Sequence, residues 1–566
     1  MKRCSAIFVG SCCHNHDVKI ANEFQPIEWE IWHTYSTYLD GSEIDLFSAA
    51  KSLVAAEVAE CVVSNTGEAF WRDGDKVIQA SLSISRDLEE GRITFQCHSE
   101  HRKVKLPSGF VLEALGQAVQ FRVAEERILG KDLSFADGFV RAFLGKIVVK
   151  AIEGDESTAD LNLYPTLLIY ESGVLILEMR MIGPVQAIPL DDFIAYAVNL
   201  PRMTIQKALV SPGLARMATE AYYRSAYVPF FSRFRYSSSQ RLHNEAIAQL
   251  TTEVPDDDNL SFRLSRWSGE THSFPEIAMS IFHTCAYLIA EPRRGLAFLV
   301  LGAKTPPDLG AFWSGRPHIH LIRYQNQREK AQENNQAHAR AFYSILSRTP
   351  GFAKPLPKDL RLFDDYSAFI SSSASLWAWS KSGYEQQKKN MDPNRANFIY
   401  ERQILMELLE YGYMLHRGLY HRVEDLQSTD HVMSVRRLIL RLRLRMRETS
   451  HSGEIRELLE DGWCALGLPS LLDDINAGLA LREADMRSVD TMRTTRVGWA
   501  IAIIFGIVAV PALADQIVTP TWHLLKLRVI GSADMMKLVT AGVATLAIFA
   551  LLAVVLLFLS KTDRRF

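Results

Sequence analysis

The sequence has no excess of either charge. Lys plus Arg number 63 and Asp plus Glu 65, a formal net charge of −2. That balance removes bulk electrostatics as an argument for nucleic-acid binding, and no direct nucleic-acid partner is expected. Cysteine is sparse, with seven in 566 residues. An odd number at irregular spacing is not a disulfide framework and points to a reducing compartment. No export signal is read: after Lys2 and Arg3, only Ala6–Val9 is apolar before Cys12, Cys13, His14, Asn15 and His16. A signal peptide needs about 7–15 apolar residues. Catalytic signatures are missing as well, with no GxxxxGK[ST], HExxH or GxSxG. Gly145-Lys146 lacks the preceding phosphate loop. No acid–base constellation can be named, so no catalytic residue is assigned and the chain reads as a non-enzyme.

Metal-ligand residue types occur at Cys12, Cys13, His14, His16, Cys97, His98 and His101, but their spacing fits no zinc module. His318 and His320 alternate on a strand candidate and share one face, with no motif beside them. Both sets read as structural, and no resident cofactor or metal site is assigned.

Two long uncharged stretches close the chain. Val497–Ala514 has 18 residues without a charge and Leu538–Ser560 has 23. A membrane-spanning helix needs about 20 apolar residues, so both are predicted to span. Arg487, Arg493 and Arg496 precede the first, and Lys561, Arg564 and Arg565 follow the second. Positive residues stay on the cytoplasmic side. The expectation is a multi-pass protein of the inner (cytoplasmic) membrane with both termini in the cytoplasm and membrane lipid as a partner.

Upstream, residues 1–348 read as an α/β region. Thr166–Met181 places two β-branched runs around Glu171-Ser172-Gly173, a hairpin signal. Ser5–Val9, Arg92–Gln96, Lys146–Ile152, Leu296–Leu301 and His318–Tyr324 are further strands, and Val111–Arg127 and Pro275–Ala290 are helices. The polar stretch Ser237–Asp258 is a candidate linker that divides this region near 237–260. A proline-rich break at Thr349–Lys358 precedes a helical stalk, 355–495, rich in Leu, Met, Glu and Arg. Two amphipathic helices are predicted at Ala396–Glu424 and Ser434–Glu448. A long helix starts at Pro469 and enters the membrane domain, 496–566. Along it Leu472, Ile475, Leu479, Met486 and Val489 recur at spacings of three, four and seven. That stripe suits a neighbouring helix, either within the chain or in another subunit. The fold class expected is an α+β membrane protein: cytosolic α/β region, long-helix stalk and two C-terminal transmembrane helices.

The sharpest local charge feature is the run Arg436, Arg437, Arg441, Arg443, Arg445 and Arg447. On a helix, Arg437, Arg441 and Arg445 share a face. Guanidinium forks suit phosphates, so an anionic ligand or lipid headgroup fits there. The alternative is a solvated face or one paired with Glu454, Glu457 and Glu460.

The architecture of residues 355–566, with long helices running into two C-terminal spans and a short basic tail, Lys561–Phe566, resembles the CorA-like metal-ion transporter superfamily. That resemblance implies a homopentameric funnel whose first span lines a pore, with magnesium or another divalent cation as the permeant ion. The family's Gly-Met-Asn filter is absent. The matching stretch reads Ala512-Leu513-Ala514-Asp515-Gln516, which makes Asp515 and Gln516 a candidate pore mouth. Divergent CorA-like proteins with enlarged cytosolic domains also act as membrane effectors beside type III CRISPR systems, which implies a nucleotide messenger as ligand and a role in antiviral defence. The expectation is therefore an oligomeric membrane channel gated by a ligand on the cytosolic region. The alternatives are a divalent metal-ion transporter or a non-conducting membrane-anchored signalling protein.

Overall fold

A computed structural model of the chain describes residues 24–39, 44–86, 93–99, 102–129, 138–153, 156–226, 261–263, 274–289, 309–310, 316–389, 398–423, 426, 429–448 and 453–513, with isolated positions beyond. The expected strands Ser5–Val9 and Leu296–Leu301, the linker Ser237–Asp258 and the basic tail lie outside the described residues.

Among the described residues, fifteen strands join into one sheet. They are β1 Pro26–Tyr38, β2 Ala59–Ser64, β3 Glu68–Asp73, β4 Lys76–Arg86, β5 Ile93–Ser99, β6 Arg102–Lys103, β7 Phe139–Leu144, β8 Ile147–Glu153, β9 Glu156–Tyr170, β10 Val174–Ile182, β11 Thr204–Leu209, β12 Ser261–Arg263, β13 Pro317–Tyr324, β14 Tyr366–Ile370 and β15 Ser375–Trp379. The main path runs β14-β15-β13-β1-β10-β9-β7-β2-β3-β4-β5-β6, with β8, β11 and β12 as a branch from β9. Only β13 with β15 is parallel. The predicted hairpin forms as β9–β10, with Leu175 opposite Ile169. Its turn needs Gly173, whose φ is +90°, a conformation that residues with a Cβ rarely adopt.

The helices are α1 Leu46–Ala55, α2 Phe110–Leu129, α3 Pro212–Ala226, α4 Phe274–Ile289, α5 Ala331–Ser347, α6 Lys381–Lys389, α7 Phe398–Val423, α8 Thr429–Glu448, α9 Gly453–Ala465 and α10 Leu468–Leu513. One face of the sheet is apolar. Ile31 and Tyr35 of β1, Leu175, Leu177 and Met179 of β10, and Ile319 and Leu321 of β13 join one buried core with residues of α1, α3, α4 and α5. The opposite face is covered by α2 and α7.

Three expectations need correction. The cytosolic region was expected as alternating α/β layers; among the described residues its sheet is antiparallel at every pairing but one, and neighbours such as β2–β3, β3–β4 and β9–β10 are joined by tight turns that reverse the chain. The region past Lys358 was expected to be helical. Instead β14 and β15 form a hairpin there. Ser371 closes it, its hydroxyl accepting from the Ala374 amide at 3.1 Å; serine does this work without the glycine or proline that marks most turns.

The third correction concerns the membrane. Among the described residues no helix is long and apolar enough to cross one. The first expected span, Val497–Ala514, falls up to Leu513 on the far end of α10, a single 46-residue helix whose earlier turns carry Asp473, Asp474, Glu483, Asp485 and Arg487. A span requires a sustained apolar run, and the expected second one, 538–560, lies almost wholly outside the described residues. The transmembrane fold class, the inner-membrane multi-pass placement and the membrane channel are therefore not carried forward.

The chain divides into two compact units. One comprises residues 1–425 and 433–478, and holds the sheet and its covering helices. The other comprises 426–432 and 479–566. Within the second, Leu426, Val432 and Leu479 are buried, and the Arg482 Nε donates to the Leu426 carbonyl at 2.9 Å.

Candidate functional site

The α7-covered face of the sheet carries charge where a core would ordinarily be apolar. Strand side chains alternate between faces, so the residues between the apolar positions project toward α7. From β1 this is Glu30, from β7 Arg141, from β10 Glu178 and Arg180, and from β13 His318 and His320. All but Arg180 are buried, and its side chain is only 12% exposed. Register brings them together: Trp32 lies opposite Arg180 on one side and opposite His318 on the other. Glu30 and Arg180 are therefore diagonal neighbours across a strand pair. α7 supplies the remaining groups at helical spacing. Gln403, Glu407 and Glu410, three and four residues apart, lie on one helix face and meet the strand side chains.

The pairing geometry is specific. Arg141 forks onto Glu407, Nη1 to Oε1 and Nη2 to Oε2, both at 2.7 Å. Arg180 forks onto Glu30 with both bonds at 2.8 Å. Arg316 donates to Glu410 at 3.1 Å and to the Ser371 carbonyl at 2.7 Å. Gln403 donates to Glu178 at 2.5 Å and lies 3.3 Å from His318 Nδ1. His318 Nε2 in turn is 3.7 Å from Glu410. Bidentate arginine–carboxylate pairs fix direction as well as contact. Arg402 takes a different route: its guanidinium lies 4.0 Å from the Tyr366 ring and 4.7 Å from the Trp379 ring, a cation held by aromatic faces. Arg141 is likewise 3.6 Å from the Phe121 ring of α2.

Burial and neighbours set the protonation. Burial pushes Glu178 well above the usual carboxylate value, and Glu407 adds to the rise. Burial also lifts Glu125 of α2 to about 7. For Glu410, burial acts upward, but Arg316 and His318 outweigh it and hold the group low. Burial keeps His318 and His320 neutral, the second helped by Arg402. On the opposite face of the sheet, burial lowers His33 to about 3. Three arginines thus pair with Glu30, Glu407 and Glu410, while burial favours the protonated form of Glu178 and Glu125 titrates near neutrality.

This layer can orient helices and store a proton. A general acid or base must reach its substrate within a hydrogen bond or through one water. Glu178 and Glu410 have no solvent exposure and Glu407 has 3%, so these groups face only protein. Among the described residues no cluster of three or more His, Cys, Asp or Glu could hold a metal.

The sequence-predicted site lies elsewhere. Arg436, Arg437 and Arg441 lie on α8, with Arg437 and Arg441 exposed. The helix continues through Arg443 and Arg445, whose side chains lie outside the described residues. Glu457, one of the expected acidic partners, binds Lys358 at 2.6 Å. Asp515 lies outside the described residues, and Gln516 is exposed. The charge layer itself was missed, although charged residues inside apolar strands, such as Glu178 and Arg180 within Thr166–Met181, were a visible signal. His318 and His320 do share a face as expected. The acid near His318 comes from α7, far along the chain, where spacing along the strand gives no hint of it.

A second feature lies on α10. Ile475 and Leu479 of the apolar stripe are fully buried. Further along, Val489 is 63% exposed, Trp499 43% and Phe505 71%, with Met492, Val497 and Ile501 exposed among them. Comparison with known proteins gives no context for either feature: no family model, curated protein or solved structure matches the chain.

Proposed function

We propose that this protein acts by self-assembly through α10, with the sheet and α7 as the rigid body that bears it. One observation carries the reading: the stripe that packs within the chain at Ile475 and Leu479 continues beyond them with nothing covering it among the described residues. Contiguous exposed apolar side chains mark an interaction surface. The occupant is a second copy of α10. Leu472, Ile475, Leu479, Met486 and Val489 follow the alternating three–four spacing of a helix-pairing seam. Charges of both signs flank it, including Glu483, Asp485 and Arg487, so identical helices have complementary edges.

The buried charge layer supports this reading as a structural device. It contributes specificity of fit: the bidentate Arg141–Glu407 pair and the Arg316–Glu410 bond set α7 in one register on the sheet. No catalytic role is assigned to the layer: Glu178, Glu407 and Glu410 are buried and face only protein.

Sedimentation velocity of the full chain tests it. Association should rise with concentration, and Val489→Asp with Met492→Asp should lower the mass of the assembly while circular dichroism shows the fold retained. A wild-type monomer at all concentrations, or a double variant of unchanged mass, overturns the proposal.

A further inference from the structure

A second exposed surface lies away from the apolar stripe of α10. On α8, Met433, Arg437, Leu440, Arg441 and Leu444 fall at helical spacings of three and four and form a single face. Met433 is 42%, Leu440 59% and Leu444 47% exposed, and both arginines are exposed. Among the described residues neither Arg437 nor Arg441 pairs with a carboxylate. The face thus combines apolar area with two uncompensated guanidinium groups. Ile439, on the other side of the helix, is buried, so α8 is seated on its own body and presents this face outward.

The same chain carries a matching opposite. On α9, Glu454, Glu457, Glu460 and Asp461 share one side of the helix. Lys358 bridges Glu457 at 2.6 Å and Asp461 at 2.7 Å. Glu454 and Glu460 are exposed and unpaired among the described residues. α8 and α9 are neighbours in sequence, yet among the described residues neither Arg437 nor Arg441 pairs with Glu454 or Glu460.

We infer that the Arg437/Leu440/Arg441/Leu444 face of α8 docks on the Glu454/Glu460 side of α9 in a second copy of this chain. This rests on the self-assembly reading and extends it. The two patches are different surfaces, so the contact is head-to-tail. Each copy then offers one acidic and one basic end, and successive contacts build a ring or a chain instead of stopping at a two-fold dimer. Rim charges of this kind set partner choice and salt dependence.

Charge reversal in the full-length protein tests the contact separately from α10. Arg437→Glu with Arg441→Glu makes one variant, and Glu454→Arg with Glu460→Arg makes the other. Each alone should associate at least about tenfold more weakly at low salt and fall to the small assemblies that α10 supports by itself. An equimolar mixture should regain higher mass, because the acidic α8 of the first then meets the basic α9 of the second. Wild-type assembly should shrink as salt is raised. The inference fails if both variants keep the wild-type mass, or if the mixture is no heavier than its components. In either case, disassembly by Val489→Asp with Met492→Asp would show that the α10 reading stands without it. Circular dichroism of each variant establishes that the fold is retained, and a misfolded pair is replaced by Arg437→Gln with Arg441→Gln, which should weaken association in the same direction.

Discussion

α7 and α10 are the two longest helices described, and they treat polarity in opposite ways. α7 buries its charges: Glu407 and Glu410 lie against the sheet, held by Arg141 and Arg316. α10 beyond Leu479 exposes its apolar residues to solvent. Burying a charge costs several kcal/mol unless a partner offsets it, and leaving a wide apolar face in water forfeits about 25 cal/mol for each Å². A helix that bears the first cost has its partners inside the chain. On the self-assembly reading, a helix that bears the second finds its partner in another copy, and the contrast separates an internal fastening from an assembly surface.

The largest expected effect breaks the internal side. Arg141→Met strands Glu407 beside Glu178 with no cation, and should cost about 3–5 kcal/mol in denaturant unfolding. Arg141→Met combined with Glu407→Met should recover much of that loss, since a well-packed apolar pair removes both charges.

The next effect is titration. Glu125 has a folded pKa of about 7, above its usual 4.5, so the folded state holds the extra proton between these values. Its stabilising contribution is complete below about pH 4.5 and is lost as pH rises through 7, by about 1.4 kcal/mol for each pH unit crossed. Glu125→Gln should therefore gain melting temperature relative to the wild type between about pH 5 and about pH 8. His33, whose pKa falls from 6.5 to about 3, acts in the other direction. It stays neutral when folded, so stability is lost as pH drops below 6.5. A pH-independent difference between Glu125→Gln and the wild type would show that Glu125 does not hold its proton in the folded state.

A smaller loss tests how α7 is clamped from behind. A Cβ on Gly412 would come within 2.8 Å of Trp463 Nε1, the atom that donates to the Leu409 carbonyl at 3.2 Å. Gly412→Val should cost about 1–3 kcal/mol through this overpacking. An unchanged midpoint would mean that α7 and α9 are not closely locked.

Much of the fold was legible in the sequence where the signal is local. The β9–β10 hairpin and its Gly173 turn, the helix Phe274–Ile289, and α10 from Leu468 to Leu513 follow from periodicity and turn chemistry. The β14–β15 hairpin did not show itself because its turn is Ser371-Ser372-Ser373-Ala374, without glycine or proline. Uncharged length suggested membrane spans, but length without charge does not by itself decide what a helix packs against. The charge layer was the least visible feature. Arg141 and Glu407 lie far apart in the chain, and only the sheet register and the seat of α7 bring them within 2.7 Å. The stripe on α10 was legible as a stripe. Which part of it the chain covers for itself required the structure, where Ile475 and Leu479 are buried and Val489 is not.

The most direct test of self-assembly through α10 is the mass of the full chain by sedimentation over a range of concentrations, with and without Val489→Asp and Met492→Asp. The expected result is a concentration-dependent oligomer for the wild type and a species of lower mass with the fold retained for the variant. Equal masses for the two would contradict it.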